Sequence, residues 1–510
     1  MHELLADTAA RVPAKLALVD SDVTYRLLDA RARSLATSFA ARGVSPGDRV
    51  VIWLPKSAAY VISIFGALDA GAAYVPLDAT QPVARVRAIL ADCEPKALVT
   101  TPALLGSVAQ LPASIEAVWL VGEGVDPTAV DRPVVSFDAA IATAPDCRAR
   151  TVELSELAAI LYTSGSTGTP KGVMISHLNL ANFIAWALEE MELRETDVVS
   201  NHASFNFDLS TFDLFAAVAV GASLWVIPDS SARNAAALAN GIARHRITVW
   251  YSVPSVLALL LESGQVTPEM LAPIRYLLFA GEVFPIKQLR RLREVLPEGA
   301  RLYNLYGPTE TNVCTFHRVG DLDPARQVPV PIGRAITGAR LRVVDANGED
   351  VAEGEPGELI VEGPCVTPGY FRRPHDPNAE NHRLNRHATG DIVGYEGEEL
   401  VYRGRKDRMV KLGGFRVELG EIEAALLRHA AIEEAAVLTI DGDGGTRLIA
   451  FCSPGTADAG PGLLEIKTHC GALLPRYMIP HGVVRMAALP KNANGKVDYL
   501  QLRDAARELI

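Results

Sequence analysis

The sequence reads as an α/β protein of two domains, a large N-terminal one built on parallel-type βαβ sheets and a smaller, mobile α+β one at the C-terminus. Three observations say so. The 510 residues exceed what one hydrophobic core accommodates. Apolar strand-like runs alternate with helix-spaced segments over most of the chain, the grammar of parallel sheets with helices on their faces. The character then changes twice, to short strands with turn signals from about residue 327 and to a charged, glycine-rich stretch near Arg405.

Taken in order, Leu27 to Arg42 has helical spacing and stops at Gly43, and Arg49 to Leu54 is a short apolar strand closed by Pro55. Ala58 to Ala72 returns to helical spacing, and Tyr74-Val75 begins the next strand. Leu157 to Tyr162 is a buried strand that runs into a loop of hydroxyls and glycines (Thr163, Ser164, Gly165, Ser166, Thr167, Gly168) ending at Lys171. Ser176 is a candidate N-cap for a helix carrying Leu178, Ala181, Ile184, Leu188 and Met191. Strands over Ile247–Val253, Arg275–Ala280 and Arg301–Tyr306 then alternate with helices over Ser255–Glu262 and Ile286–Leu296. In open parallel sheets ligands bind outside the carboxyl ends of strands. Those ends carry Tyr251, Ala280-Gly281-Glu282 and Asn304-Leu305-Tyr306-Gly307.

Beyond residue 327, Arg340 to Asp345, Asn347-Gly348 and Gly357 to Glu362 predict β-hairpins and a small β-barrel subdomain that completes a first domain of residues 1–405. Residues 406–510 form the second domain. Its helix over Glu421–His429, strands over Glu434–Ile440 and Arg447–Ser453, helix over Leu463–Leu474 and final polar loop make an α+β unit.

Composition narrows the function. A net charge of -11 with interspersed signs disfavours a nucleic-acid or anionic-membrane partner. No stretch of about twenty apolar residues exists and no signal peptide is evident, so a cytoplasmic protein is expected. The six cysteines are scattered without a CxxC pair, which reads as buried reduced thiols. There is no G-x-S-x-G elbow, H-E-x-x-H or dinucleotide G-x-G-x-x-G.

The Thr163–Lys171 loop suits a polyphosphate, because glycines let backbone N–H groups turn inward and hydroxyls donate to oxygens. It is not a Walker A loop, since Lys171 lies between Pro170 and Gly172. In Asn304-Leu-Tyr-Gly-Pro-Thr-Glu310 a Tyr306 ring can stack on a base and Glu310 can take Mg²⁺ beside phosphates. In Ala388-Thr389-Gly390-Asp391 a carboxylate on a tight turn can accept ribose hydroxyls. In isolation, a solvated Glu310 and an Asx turn at Asp391 are the competing readings. The run Tyr402 to Glu418 carries cations and glycines that suit a hinge, and Lys496 sits at the tip of the loop Asn492–Asp498.

In this order these motifs resemble those of the adenylate-forming superfamily, which includes acyl-CoA synthetases and luciferases, and among them the amino-acid adenylation domains of nonribosomal peptide synthesis. The matching residues are Leu161–Gly172, Asn304–Glu310, Thr389–Asp391, Gly404–Glu423, Asn494–Lys496 and Gly71–Asp78, so the likeness spans nearly the whole chain. The resemblance implies ATP and Mg²⁺ as cofactors and a two-step ligase. An acyl-adenylate forms with release of pyrophosphate, and the acyl group then passes to a thiol. It assigns catalysis to Thr163, Lys171, Glu310 and Lys496, with Glu310 on the metal. It gives the nucleotide Thr163 to Gly168, Lys171, Gly281, Glu282, Asn304, Leu305, Tyr306, Gly307, Thr309, Asp391, Tyr402, Arg405 and Lys496. Asp407 falls at the family's hinge, and Gly413-Gly414 stand where the family more often has an Arg-Gly pair.

By the same resemblance Asp208 pairs with the α-ammonium of an amino acid; capping of the following turn is the competing role. The remaining pocket positions are Leu209, Phe212, Tyr251, Leu278, Ala280, Leu305, Val313 and Cys314. All but the Tyr251 hydroxyl are apolar, which disfavours charged or amide side chains. The set is similar to that of free-standing prolyl adenylation enzymes, which load L-proline on a carrier protein for oxidation to a pyrrole. Alanine or valine satisfies the same physics, and an acyl- or aryl-CoA ligase is the alternative activity. The sequence stops soon after Lys496, so the acceptor thiol is expected on a separate phosphopantetheinylated carrier protein or on coenzyme A.

Overall fold

The computed structural model describes residues 1–108, 110–123, 130–145, 152–164, 169–352, 354–442, 445–454, 460–491 and 497–507. The chain divides into two compact units, one of residues 1–79, 92–162 and 172–406 and the other of residues 80–91, 163–171 and 407–510.

Two large sheets organise the first unit. A seven-stranded sheet runs in the spatial order Val134–Ser136, Ala117–Leu120, Ala97–Thr100, Arg49–Leu54, Ala73–Asp78, Leu157–Thr163, Lys171–Ser176, and the five pairings from Val134–Ser136 to Leu157–Thr163 are parallel. A nine-stranded sheet holds Val249–Ser252, Tyr276–Ala280 and Arg301–Tyr306 side by side and parallel, with Val198–Asn201 on one flank and antiparallel Thr315–Val319 on the other. Side chains alternate faces along a strand, and the core obeys that rule. Tyr251, Leu278, Ala280, Tyr303 and Leu305 join one buried cluster, whereas Trp250, Leu277, Phe279 and Leu302 join the cluster on the opposite face.

The helices follow the predicted periodicity with small shifts at their ends. Tyr25–Ala40, Ala58–Asp69, Pro254–Glu262 and Ile286–Val295 stand where helical spacing placed them. Ser176 caps His177–Glu190 through a capping box with Asn179. Some elements were not foreseen, among them the helix Tyr499–Arg507, where a polar loop was expected, and one strand beside the glycine loop. Between that loop and the helix His177–Glu190 lies the strand Lys171–Ser176, too short for its alternation to stand out from the helical run behind it.

The segment expected to be barrel-like is a four-stranded antiparallel meander, Arg340–Val344, Gly357–Glu362, Arg386–Glu396 and Glu399–Arg405, whose first and last strands are the sheet's edges. Its third strand corrects the expected tight turn at Thr389-Gly390-Asp391. Glu358 pairs with Ile392 and Ile360 with Ala388, so two steps on one strand oppose four on the other. The surplus is a bulge, and Gly390 takes it up at a φ of 73°.

In the second unit, the hairpin Met409–Leu412/Phe415–Glu418 precedes the helix Leu419–Leu426. A sheet of Glu434–Gly442, Gly445–Ser453 and Gly482–Arg485 packs with the helices Leu463–Leu473 and Tyr499–Arg507. Gly413 and Gly414 form the two-residue hairpin turn with φ of 57° and 79°. Positive φ at both positions is what a type I′ turn requires, so the second glycine serves the turn's geometry.

Candidate active site

Toward the carboxyl ends of the parallel strands in the nine-stranded sheet, most of the predicted pocket positions gather in a buried apolar cluster. Tyr251 lies opposite Leu278, and Ala280 opposite Leu305, on one face of the sheet. The Phe212 ring meets Tyr251 edge-on, with centroids 5.6 Å apart, and Val313 belongs to the same buried cluster. Leu209 packs against its margin, half-buried. Cys314 is placed elsewhere, packed with Tyr306 in the cluster under the antiparallel meander.

Asp208 stands at the start of the short helix Leu209–Thr211, and Phe212 opens a π-helical turn, Phe212–Ala216. Only 9% of Asp208 is exposed, and its side chain makes no capping bond to the helix it precedes. Its backbone carbonyl does the local work, accepting from the Thr211 amide at 2.9 Å and the Thr211 hydroxyl at 2.6 Å. The capping role considered for this carboxylate is therefore corrected. Tyr251 is wholly buried, and its hydroxyl has no hydrogen-bond partner among the described residues. Burial first, and then the charges of Asp208 and Asp213, push its phenol well above the ordinary tyrosine value.

A second cluster surrounds Tyr306. Its hydroxyl donates to one oxygen of Asp391, and Arg405 donates to the other at 2.6 Å. Asp391 is 1% exposed and Arg405 7% on their side chains, so this is a buried, bridged carboxylate. Tyr402 lies half-buried on the strand that carries Arg405. Asn304 donates its amide to the Pro331 carbonyl at 2.7 Å, so that donor is engaged within the protein. Glu282 accepts from the Ser255 amide at 3.0 Å, at the start of the Pro254–Glu262 helix, while Gly281 turns the chain at a φ of 90°. Gly307 admits no side chain, because a Cβ there would lie 1.6 Å from the Asn312 carbonyl oxygen. Thr309 is half-buried nearby.

Glu310 is 1% exposed, so the solvated reading of this residue fails. It accepts a hydrogen bond from the Tyr370 hydroxyl. Among the described residues no group of three or more acidic, histidine or cysteine side chains could cage a metal ion. A lone buried carboxylate fits a divalent ion that keeps its waters and takes most of its other oxygens from phosphates.

In the second unit, the Ser164 hydroxyl donates to the Arg416 carbonyl at 2.8 Å, and Thr163 reaches the Lys171 carbonyl at 3.5 Å. Gly165, Ser166, Thr167, Gly168 and Lys496 lie outside the described residues. Asp407 begins this unit's longest segment and accepts from the Met409 amide.

Three participants were not singled out from the sequence. Tyr370 holds Glu310; Asn312, at a φ of 50°, donates to the Thr211 hydroxyl at 3.0 Å; and Lys56 is buried beneath the loop before Asp208. Asn is a residue that tolerates left-handed backbone, which gave a weak signal at position 312. Nothing local marks Tyr370 or Lys56.

Comparison with known proteins supplies the family. The model of the AMP-binding enzyme family matches residues 5–371, and that of the AMP-binding enzyme C-terminal domain matches residues 421–496. An L-proline--[L-prolyl-carrier protein] ligase of Streptomyces coelicolor is 54% identical over 97% of this chain and 94% of its own length. A ligase of the same name from Pseudomonas fluorescens is 40% identical over 98% of both chains. The Vibrio cholerae adenylation domain AlmE, solved with glycyl-adenosine-5'-phosphate, superposes with a TM-score of 0.80 at 25% identity, covering 99% of this chain and 97% of that one. By these matches over nearly its whole length, the chain belongs to the AMP-binding enzyme family.

Proposed function

We propose that this protein is an ATP-dependent ligase that adenylates L-proline and passes the prolyl group to the phosphopantetheine thiol of a separate carrier protein. The observation that carries the amino-acid part is one buried carboxylate, Asp208, beside a slot lined by Phe212, Tyr251, Leu278, Ala280, Leu305 and Val313. A carboxylate in apolar surroundings is tolerable opposite a cation, and an amino acid's ammonium is one. Proline adds a compact ring and no polar side-chain atom. The names of the relatives at 54% and 40% identity support the same substrate and a carrier-protein acceptor.

In the first half-reaction, a proline carboxylate oxygen attacks the α-phosphorus of ATP. The new bond is acyl–phosphate, the bond broken joins the α- and β-phosphates, and pyrophosphate leaves. Asp208 anchors the amine, so the carboxylate points out of the slot. Asp391, braced by Tyr306 and Arg405, receives the ribose hydroxyls, and the ring of Tyr306 lies against the base. Thr163, Ser164 and Lys171, with the glycine loop, hold the β- and γ-phosphates, and Lys496 neutralises charge on the carboxylate and α-phosphate. Mg²⁺ held by Glu310 would screen the phosphate charge. In the second half-reaction the thiolate attacks the acyl carbon, AMP leaves, and the chain turns about Asp407 to admit the thiol.

The test is ATP–pyrophosphate exchange across the twenty amino acids and a set of aryl acids. L-Proline gives the dominant signal. Equal exchange with alanine or valine would overturn the substrate, and equal exchange with benzoate-like acids would favour a CoA-ligase activity instead.

A further inference from the structure

Lys56 follows the strand Arg49–Leu54 and precedes the helix Ala58–Asp69. Its residue is 7% exposed, an unusual place for a lysine. The ammonium donates to the carbonyls of Asn201 at 2.7 Å, His202 at 3.0 Å and Ala203 at 2.9 Å. An ammonium has three N–H donors, and here three consecutive carbonyls take them. Such convergence fixes the path of the backbone as it leaves the strand Val198–Asn201.

The same stretch is tied at further points. Asn201 donates its side-chain amide to Asp213 and to the Ala203 carbonyl, both at 3.1 Å, linking the loop's entry to the π-helical turn that carries Phe212. Phe205 lies 5.7 Å from the Lys56 nitrogen and packs on Tyr60, with centroids 4.7 Å apart. At the exit, Ser210 donates to the Phe207 carbonyl at 2.6 Å. Asp208 follows Phe207, so its carboxylate stands where these ties leave it. Lys56 also sits among the charges of Asp229, Asp213, Asp78 and Asp20, and its own amide donates to Asp229 at 3.0 Å. Burial lowers its ammonium below the ordinary lysine value, and those four carboxylates oppose the shift.

We propose that Lys56 is a positioning residue for amino-acid recognition, gathering three carbonyls so that Asp208 is held where it meets the substrate's ammonium. This rests on the reading of Asp208 given above. Lys56 touches neither substrate nor ATP; it acts through the loop.

The discriminating measurement is a selectivity ratio. Cyclopentanecarboxylate has the ring and carboxylate of proline but no amine, so it fills the slot without using Asp208. In Lys56→Met, pyrophosphate exchange with proline relative to cyclopentanecarboxylate falls by about ten- to a hundredfold. KM for proline rises while KM for ATP holds, and Lys56→Arg recovers part of the ratio. A merely structural lysine would lower both acids in parallel, and that result overturns the proposal. If Lys56→Met does not accumulate folded, Lys56→Gln, which keeps an N–H donor, is read in its place with a smaller loss of ratio; an unchanged ratio there is equally fatal. Asp208→Asn is run beside them. If it collapses the ratio while the Lys56 variants do not, the positioning role alone fails; if it leaves the ratio intact, the reading of Asp208 fails and takes the proposal with it.

Discussion

Replacing Asp208 by Asn isolates one interaction. The two side chains are nearly isosteric, and the carboxylate makes no capping bond, so the local helix keeps the Thr211 contacts to the position-208 carbonyl. What is lost is negative charge in a site only 9% exposed. Removing one partner of a buried ion pair costs about 3–5 kcal/mol, because the other is left without compensation. At about 1.4 kcal/mol per factor of ten, kcat/KM for proline falls roughly a hundred- to a thousandfold or more. KM for ATP is unchanged, since Asp391, Arg405 and Glu310 are untouched. Steady-state pyrophosphate exchange gives kcat/KM. Urea denaturation of the variant checks that the loss is one of recognition and not of folding. Proline turnover within about threefold of wild type would refute the reasoning.

Other perturbations probe other parts. Arg405→Met leaves the Asp391 carboxylate, 1% exposed, without its cation; we expect about 3–5 kcal/mol of destabilisation in urea and a raised KM for ATP. Gly307→Ala drives a methyl to 1.6 Å from the Asn312 carbonyl oxygen, so about 1–3 kcal/mol is lost and KM for proline rises as Asn312 lets go of Thr211. Asp69 tests linkage. Burial, reinforced by Asp29 and opposed by Arg33 and the N-terminal ammonium, raises its carboxyl to about 8. A raised carboxyl holds its proton in the folded state, so its contribution is complete below about pH 4 and is lost as pH climbs to about 8. The stability of wild type minus that of Asp69→Asn therefore declines across that window, by up to about 1.4 kcal/mol per pH unit, and is flat above it. A constant difference between pH 5 and 8 would contradict this. Tyr251→Phe removes a buried hydroxyl that has no partner among the described residues and raises the free protein's stability by about 1 kcal/mol in urea.

Much of this protein is written locally. Hydrophobic period marked the strand at Arg301–Tyr306 and the helix at Ile286–Val295, and Ser176 announced the helix it caps. The order of the short motifs was enough to suggest the family. Local signals misled where two structures share one signature. Thr389-Gly390-Asp391 has turn chemistry, but the glycine accommodates a bulge in a strand whose pairing is set by Gly357–Glu362 and Glu399–Arg405. Likewise Cys314 follows Val313 in sequence but packs in a different cluster.

By itself, then, the sequence determined the alternation of elements, the hydroxyl- and glycine-rich loop and the apolar character of the slot, because each depends on residues a few positions apart. Only the tertiary structure decided what stands under that slot. The carbonyls that receive Lys56 lie 145 to 147 residues along the chain. Every residue carries such a carbonyl, so no pattern of side chains advertises the meeting. It exists because the fold brings a buried cation and three oxygens together, where desolvation would otherwise be unopposed.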